Sequence, residues 1–299
     1  MARDKTTDAL SRALDRAEAV LERLEALLPA APAQPDWSAR AFRWRKRGQR
    51  GYLQAVFHPQ AIRLDDLVAI DAQKRMIDEN TRQFLAGLPS NNVLLTGSRG
   101  TGKSSLVKAV LNKFHKQGLR VIEVEKHDLL DLPEIVDQVA KRPEKFILFC
   151  DDLSFELSEA AGYKALKSVL DGSMAATSEN LLIYATSNRR HLMPEYMQEN
   201  LETKHLGEEI HPGESVEEKI SLSERFGLWV SFYPFDQDEF LAIVAHWLHE
   251  LGCSDAAIAK SRQEALQWAL QRGSRSGRVA WQFARDYAGR EAGDGKSRR

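Results

Sequence analysis

One run of eight residues limits what this chain can fold into more than any other. Gly97-Ser98-Arg99-Gly100-Thr101-Gly102-Lys103-Ser104 fits the pattern G-x-x-x-x-G-K-[ST]. Its surroundings fit as well: the apolar Val93-Leu94-Leu95 runs in as a predicted strand, and Ser105 to Leu111 runs out as a predicted helix. Glycines allow a tight bend in which successive backbone N–H groups converge on an anion. The helix begins there, and its N-terminal dipole favours negative charge. Lys103 adds a flexible point charge for phosphate oxygens. Ser104 offers a hydroxyl oxygen to Mg²⁺, a hard cation. The predicted phosphate site is therefore Gly97, Ser98, Arg99, Gly100, Thr101, Gly102, Lys103, Ser104 and Ser105.

Such a loop needs a carboxylate on the metal side. The run Phe146-Ile147-Leu148-Phe149-Cys150-Asp151-Asp152 supplies two, where a central strand would emerge. Asp151 is predicted to hold the Mg²⁺ shell. Asp152 is predicted to orient or deprotonate a water attacking a terminal phosphate, its bland alternative being a helix N-cap. In Leu181-Leu182-Ile183-Tyr184-Ala185-Thr186-Ser187-Asn188 an apolar strand ends in small polar residues. Asn188 is placed to hydrogen-bond the attacking water or the phosphate; the alternative is a turn residue.

Continuous apolar runs at Asn92–Thr96, Arg120–Val124, Phe146–Cys150, Leu181–Ala185 and Trp229–Tyr233 predict strands buried on both faces of a parallel sheet. Helical patterns at Lys103–Gln117, Pro133–Lys141 and Ala160–Leu170 lie between them, and another covers Asp71–Leu85. This alternation predicts an α/β domain. Leu10, Leu14, Ala17, Leu21, Leu24 and Leu28 form one stripe of an N-terminal helix, which Pro29 to Pro35 ends as a linker. After Asp236 the pattern is helical, and the last ten residues read as frayed.

The 299 residues leave room for two domains at roughly 150 residues each. A formal net charge of -1 excludes a wholly basic or acidic chain, but it hides local imbalance. Six basic residues between Arg40 and Arg50 are interleaved with Trp37, Phe42, Trp44 and Tyr52. Either this cluster binds nucleic acid, or its rings staple a linker to the body with solvated arginines around them, and the second reading is preferred. Nine Glu between Glu195 and Glu224 make an exposed acidic stretch or a docking surface for a basic partner. His246 and His249 read as ordinary helix residues, since nothing nearby completes a metal set. Two cysteines, Cys150 and Cys253, cannot build a disulfide framework. With no signal-like leader and no apolar stretch near the roughly 18 residues that span a bilayer, a cytoplasmic location is expected.

In order and spacing these motifs resemble those of the AAA+ ATPases, over roughly Leu64 to Ala288. More narrowly, Asn91 to Ala109, Asp151-Asp152-Leu153-Ser154-Phe155 and Tyr184 to Leu192 resemble a bacterial AAA+ branch carried under a domain-of-unknown-function label. The resemblance implies an α/β P-loop NTPase fold: a three-layer parallel-sheet core, a small C-terminal helical lid and an N-terminal helical extension. It implies ATP and Mg²⁺ as ligands. Asn188 matches the first sensor, Arg278 in Ser276-Gly277-Arg278 the second sensor on the lid, and Arg225 the arginine finger before the fifth strand. A finger acts on a neighbouring subunit, so a homo-oligomer is implied; the alternative for Arg225 is an intramolecular salt bridge. The expected division is 1–60 (helix, linker and basic aromatic segment), 61–235 (nucleotide-binding domain), 236–290 (lid) and 291–299 (tail). Many AAA+ enzymes have Glu at the position of Asp152, so slow hydrolysis is expected here. The implied function is Mg²⁺-dependent ATP hydrolysis that remodels or loads a macromolecular client; the alternative is a slow, nucleotide-gated switch acting on DNA or protein.

Overall fold

Val93–Gly97 (β3) is an interior strand, paired on both sides in a sheet, because neither of its faces tolerates water: Val93, Leu94 and Leu95 are all fully buried. The computed structural model describes residues 14, 16–18, 20, 34–48, 50–153, 160–171, 179–188, 205–206, 209–210 and 222–297. The chain divides into two compact units, Met1–Pro35 and Asp36–Arg299. In the first, residues 14, 16–18 and 20 are helical, as predicted; the rest of the leucine stripe lies outside the described residues.

In the second unit the strands are β1 (Ala41–Arg47), β2 (Arg50–Val56), β3, β4 (Leu119–Val124), β5 (Lys145–Cys150), β6 (Leu181–Ser187), the two-residue pair β7 (His205–Leu206) and β8 (Glu209–Ile210), and β9 (Leu228–Phe232). Seven of them form one sheet in the order β2-β1-β4-β5-β6-β3-β9, parallel throughout except for β2, which returns antiparallel from β1. The helices are α1 (Asp71–Leu85), α2 (Lys103–Phe114), α3 (Leu132–Val139), α4 (Ala160–Leu170), α5 (Gln237–Glu250), α6 (Asp255–Gln271) and α7 (Gly277–Ser297).

Alternate strand residues feed two apolar layers. Val93, Leu95, Ile147 and Phe149 join one with α1, α2 and the C-terminal helices; Leu94, Phe146, Leu148 and Cys150 join the other with α3 and α4. This is the α/β domain that the strand–helix alternation predicts, in the three layers that the resemblance implies. The C-terminal helices form the lid. Asp236 caps α5 by accepting from the Glu239 N–H at 2.8 Å, while Glu239 accepts from the Asp236 N–H at 2.9 Å. Phe240, Val244, Leu248, Ala265, Ala280, Phe283 and Ala284 close the lid core, and α7 continues to Ser297, where the sequence read a frayed tail.

The segment read as basic and aromatic is a pair of strands at the sheet edge. Phe42 and Trp44 point inward and are fully buried, while Arg43 and Arg45 alternate outward. Arg43 bonds Glu123 at 2.8 Å, Arg45 bonds Glu125 and Lys46 pairs with Asp131 at 2.7 Å. Half of the basic cluster is thus tied to acids on β4 and just after it, and the Phe42 and Trp44 rings are core, which supports the stapling reading. Trp44 Nε1 donates to Asp131 Oδ2 at 2.9 Å, and Gly51 is required beside it, since a Cβ there would stand 1.8 Å from the indole. Trp44→Ala is expected to lower stability by about 3–5 kcal/mol, read as a reduced urea midpoint.

Candidate functional site

The end of β3 turns through three glycines with positive φ: Gly97 at 129°, Gly100 at 76° and Gly102 at 101°. A Cβ on Gly97 would lie 1.9 Å from the Phe232 carbonyl oxygen, and one on Gly100 2.8 Å from Ser276 Cβ. The glycines are therefore demanded by close approach as well as by backbone angle. Thr101 is buried and its hydroxyl donates to the Ser98 carbonyl at 2.8 Å, bracing the bend. Gly102 is the N-cap of α2, so the loop delivers its amides at a helix N-terminus.

Lys103 is buried, and its ammonium donates to the Gly97 carbonyl at 2.6 Å, the Ser98 carbonyl at 2.8 Å and Asn188 Oδ1 at 3.0 Å. Burial lowers its pKa to about 8, although Asp151 and Asp152 oppose the shift. Ser104 Oγ donates to Asp151 Oδ1 at 2.6 Å. Asn188 Nδ2 donates to Asp152 Oδ1, so one amide joins the buried lysine to the exposed carboxylate. Asp152 has φ 53°, in the left-handed region that Asp tolerates better than most residues.

Thr186 is a residue the sequence reading passed over, because that reading ended its strand at Ala185. The strand runs to Ser187, and Cys150 pairs with Ala185, so the next step of each strand sets Asp151 beside Thr186. The buried Thr186 hydroxyl donates to Asp151 Oδ1 at 2.6 Å and accepts from the Asp152 N–H at 2.9 Å. It holds both carboxylate-bearing residues at once. The register of β5 on β6, rather than any local motif, carries that signal.

These residues share a cavity of about 870 Å³ with the lid. Arg99, Gly100, Thr101, Gly102, Lys103, Ser104 and Ser105 line it with Asp151, Asp152 and Asn188, and Arg278 enters from α7. The Gly277 N–H donates to the Gly100 carbonyl at 2.8 Å, joining lid to loop. Ile62, Leu67, Ile243, Trp247 and Trp281 give the cavity an apolar end. Arg225 is elsewhere: its guanidinium donates to Asp171 Oδ1, and it is not among the lining residues. His246 lies 3.7 Å from Asp66, and among the described residues no group of three or more His, Cys, Asp or Glu gathers to hold a metal.

The donor set fits Mg²⁺ with a polyphosphate. Mg²⁺ keeps most of its waters and takes one or two protein oxygens, and the Ser104 hydroxyl and the Asp151 carboxylate, 2.6 Å apart, could serve as such a pair. A cradle that a Cβ would fill, followed by a buried ammonium, fits phosphate oxygens. Cavity volume and the mix of polar and apolar walls fit a nucleotide-sized ligand. The acidic stretch from Glu195 falls almost wholly outside the described residues. No helix among the described residues is long and apolar enough to cross a membrane.

The family described as "Protein of unknown function (DUF815)" matches residues 37–291. The FIGL-1 AAA domain in complex with ADP is similar at TM-score 0.51 and 18% identity, over 77% of this chain and 73% of that one. The Thermotoga maritima RuvB Holliday junction branch migration motor gives TM-score 0.45 and 16% identity over 75% of this chain. This chain spans 63% of that motor's length. The E. coli MS115-1 HORMA:CdnC:Trip13 complex gives TM-score 0.47 and 12% identity, over 75% and 90% of the two chains. A search of the curated proteins finds no match.

Proposed function

The chain belongs to the family described as "Protein of unknown function (DUF815)", with an AAA+ P-loop fold, and on that premise we propose that it binds ATP with Mg²⁺ and hydrolyses it to drive change in a macromolecular client. The observation that carries the proposal is the convergence of Lys103, the Ser104–Asp151 pair and the Asp152–Asn188 pair on one cavity wall.

The loop amides from Gly100 to Ser104 bind the phosphates, and Lys103 leaves its own loop carbonyls for phosphate oxygens. Ser104 and Asp151, aligned by Thr186, hold Mg²⁺, which supplies positive charge to the phosphate oxygens. Asp152 and Asn188 orient a water. Its oxygen bonds to the γ-phosphorus and the bond from that phosphorus to the bridging oxygen breaks. The electron pair leaves with ADP, and the water's proton passes to an Asp152 oxygen. Arg278 ties lid position to the presence of the terminal phosphate. A homo-oligomer is part of the proposal, with Arg225 exchanging Asp171 for the site of a second copy. The client, protein or nucleic acid, is recognised outside this cavity.

One observation favours a second reading, a slow nucleotide-gated switch. Asp152, the proton acceptor, is already engaged by Asn188, and Arg99 stands 3.8 Å away. Equilibrium binding and phosphate release, measured on the same preparation, separate the readings. The enzyme reading expects saturable ATP binding with steady phosphate release that stops when Mg²⁺ is chelated. Tight binding without release over hours would select the switch, and absence of binding would defeat both.

A further inference from the structure

We infer that Arg99 supplies a second cation to the transferring phosphoryl group from within its own subunit, independently of Arg225. The inference rests on the nucleotide reading of the cavity and adds to it a residue that acts in the transition state.

The first support is position. Arg99 occupies the third place of the phosphate loop, between Gly97 and Gly100, whose backbone angles fix the bend. The Gly100 carbonyl, one residue on, is bonded to the Gly277 N–H, so the segment carrying Arg99 is braced against the lid. The second support is aim. The Arg99 side chain is 78% exposed, yet it lines the cavity, and its Nη2 is 3.8 Å from Asp152 Oδ2. A guanidinium so placed stands where water, carboxylate and terminal phosphate are proposed to meet. An exposed pair at that separation is weak, so Arg99 exchanges Asp152 for phosphate oxygen readily. Its planar fork matches two such oxygens, which an ammonium does not.

The third support is the engagement of the other cations. Lys103 is buried at the base of the loop, and Lys108 bonds Gln60 at 3.2 Å. Arg225 pairs with Asp171 outside the cavity. Arg278 sits on the lid helix α7, not on the loop. Arg99 is the guanidinium that the loop itself presents, on the same bend as Lys103 and in the same subunit. Charge that grows on the phosphoryl oxygens as the bond to the leaving group breaks is then met without waiting for a partner subunit.

The test uses the full chain with R99A and R99K, and four measurements. Because the side chain is exposed, both variants should melt with the wild-type midpoint. ADP affinity should stay within about threefold of wild type, since the fork acts on the terminal phosphoryl and not on the bound product. Binding of ADP with Mg²⁺ and aluminium fluoride, a mimic of the transferring group, should lose its advantage over ADP alone by about 100-fold in R99A, and nearly as much in R99K. Phosphate release should fall by about the same factor. Finally, R99A chains are mixed with K103A chains, which cannot bind nucleotide. Action within one subunit predicts no activity beyond the sum of the two.

Recovery of activity in that mixture would overturn the inference, because the charge would then cross between subunits. So would an R99A rate equal to or above wild type, which would make Arg99 a restraint on Asp152, and so would ADP affinity falling in step with turnover. The nucleotide reading fails separately, by wild-type chains that bind neither ATP nor ADP. If wild type binds but turns over too slowly to follow, the aluminium fluoride comparison still decides.

Discussion

Lys103→Ala is expected to weaken ATP and ADP binding by more than about 100-fold while leaving the chain folded. The lysine is buried at the root of α2, and its three acceptors are two loop carbonyls and Asn188, none of them a carboxylate. Its charge is thus held at some expense of stability, which is why burial lowers its pKa to about 8. Removing it relieves that expense but leaves three acceptors without their donor, so the two effects oppose and the alanine chain should melt near the wild-type midpoint. Unaltered nucleotide affinity in a folded Lys103→Ala chain would overturn the assignment of the site.

The same ammonium gives binding a pH signature. In the unfolded chain it deprotonates at the ordinary lysine value of 10.5, and in the folded chain at about 8. Between these values the unfolded state binds more protons, so on this group's account stability rises with pH there; below about 8 the penalty for burying the charge is constant. Phosphate favours the charged form. Above pH 8 binding must therefore take a proton from solvent, and affinity should fall with rising pH. Calorimetric titrations in two buffers of different ionisation heat read this uptake directly, and it should vanish below about pH 7.

What the sequence discloses and what it hides follow a physical division. The phosphate loop was legible because its main demands are local: a positive φ or a helix start selects a residue type in place, and the close approaches to Phe232 and Ser276 ask for the same glycines. The central strands were legible because burial on both faces leaves no polar interruption. The hairpin of β1 and β2 was not. Its period-two alternation is present, with Phe42 and Trp44 inward, but the outward positions hold arginines that read as a solvated cluster. Their acids, Glu123, Glu125 and Asp131, lie about 80 residues further along, and nothing near Arg43 announces them. Thr186 was missed for the same reason. A threonine at a strand end is unremarked until strand register sets it against Asp151. The contact of Gly277 with Gly100 is likewise a property of the folded lid; resemblance named Arg278, but spacing did not. For Arg225 the resemblance supplied a role, and the folded chain adds a partner, Asp171, which the sequence reading allowed only as an unnamed ion pair.

Asp152→Asn is expected to lower ATP turnover by roughly 10²–10⁴-fold, the usual worth of a positioned acid or base, with ATP affinity nearly unchanged. The substitution suits the site. Asp152 sits at φ 53°, where Asn is at least as comfortable as Asp, and its backbone N–H keeps the bond to Thr186. The amide oxygen can still accept from Asn188. What is lost is the negative charge and the basic oxygen proposed to take the water's proton. The same backbone angle gives a reason why this chain carries Asp where many AAA+ enzymes carry Glu. A short side chain that tolerates the left-handed region holds this turn, whereas Glu would add strain of roughly 1–2 kcal/mol. Asp152→Glu should therefore reduce thermal stability while keeping turnover above that of the Asn variant. A structural role for Asp152 predicts the opposite order: the isosteric Asn would keep activity and the longer Glu would lose it. Single-turnover phosphate release from the two variants, beside their melting curves, decides between proton acceptor and cap.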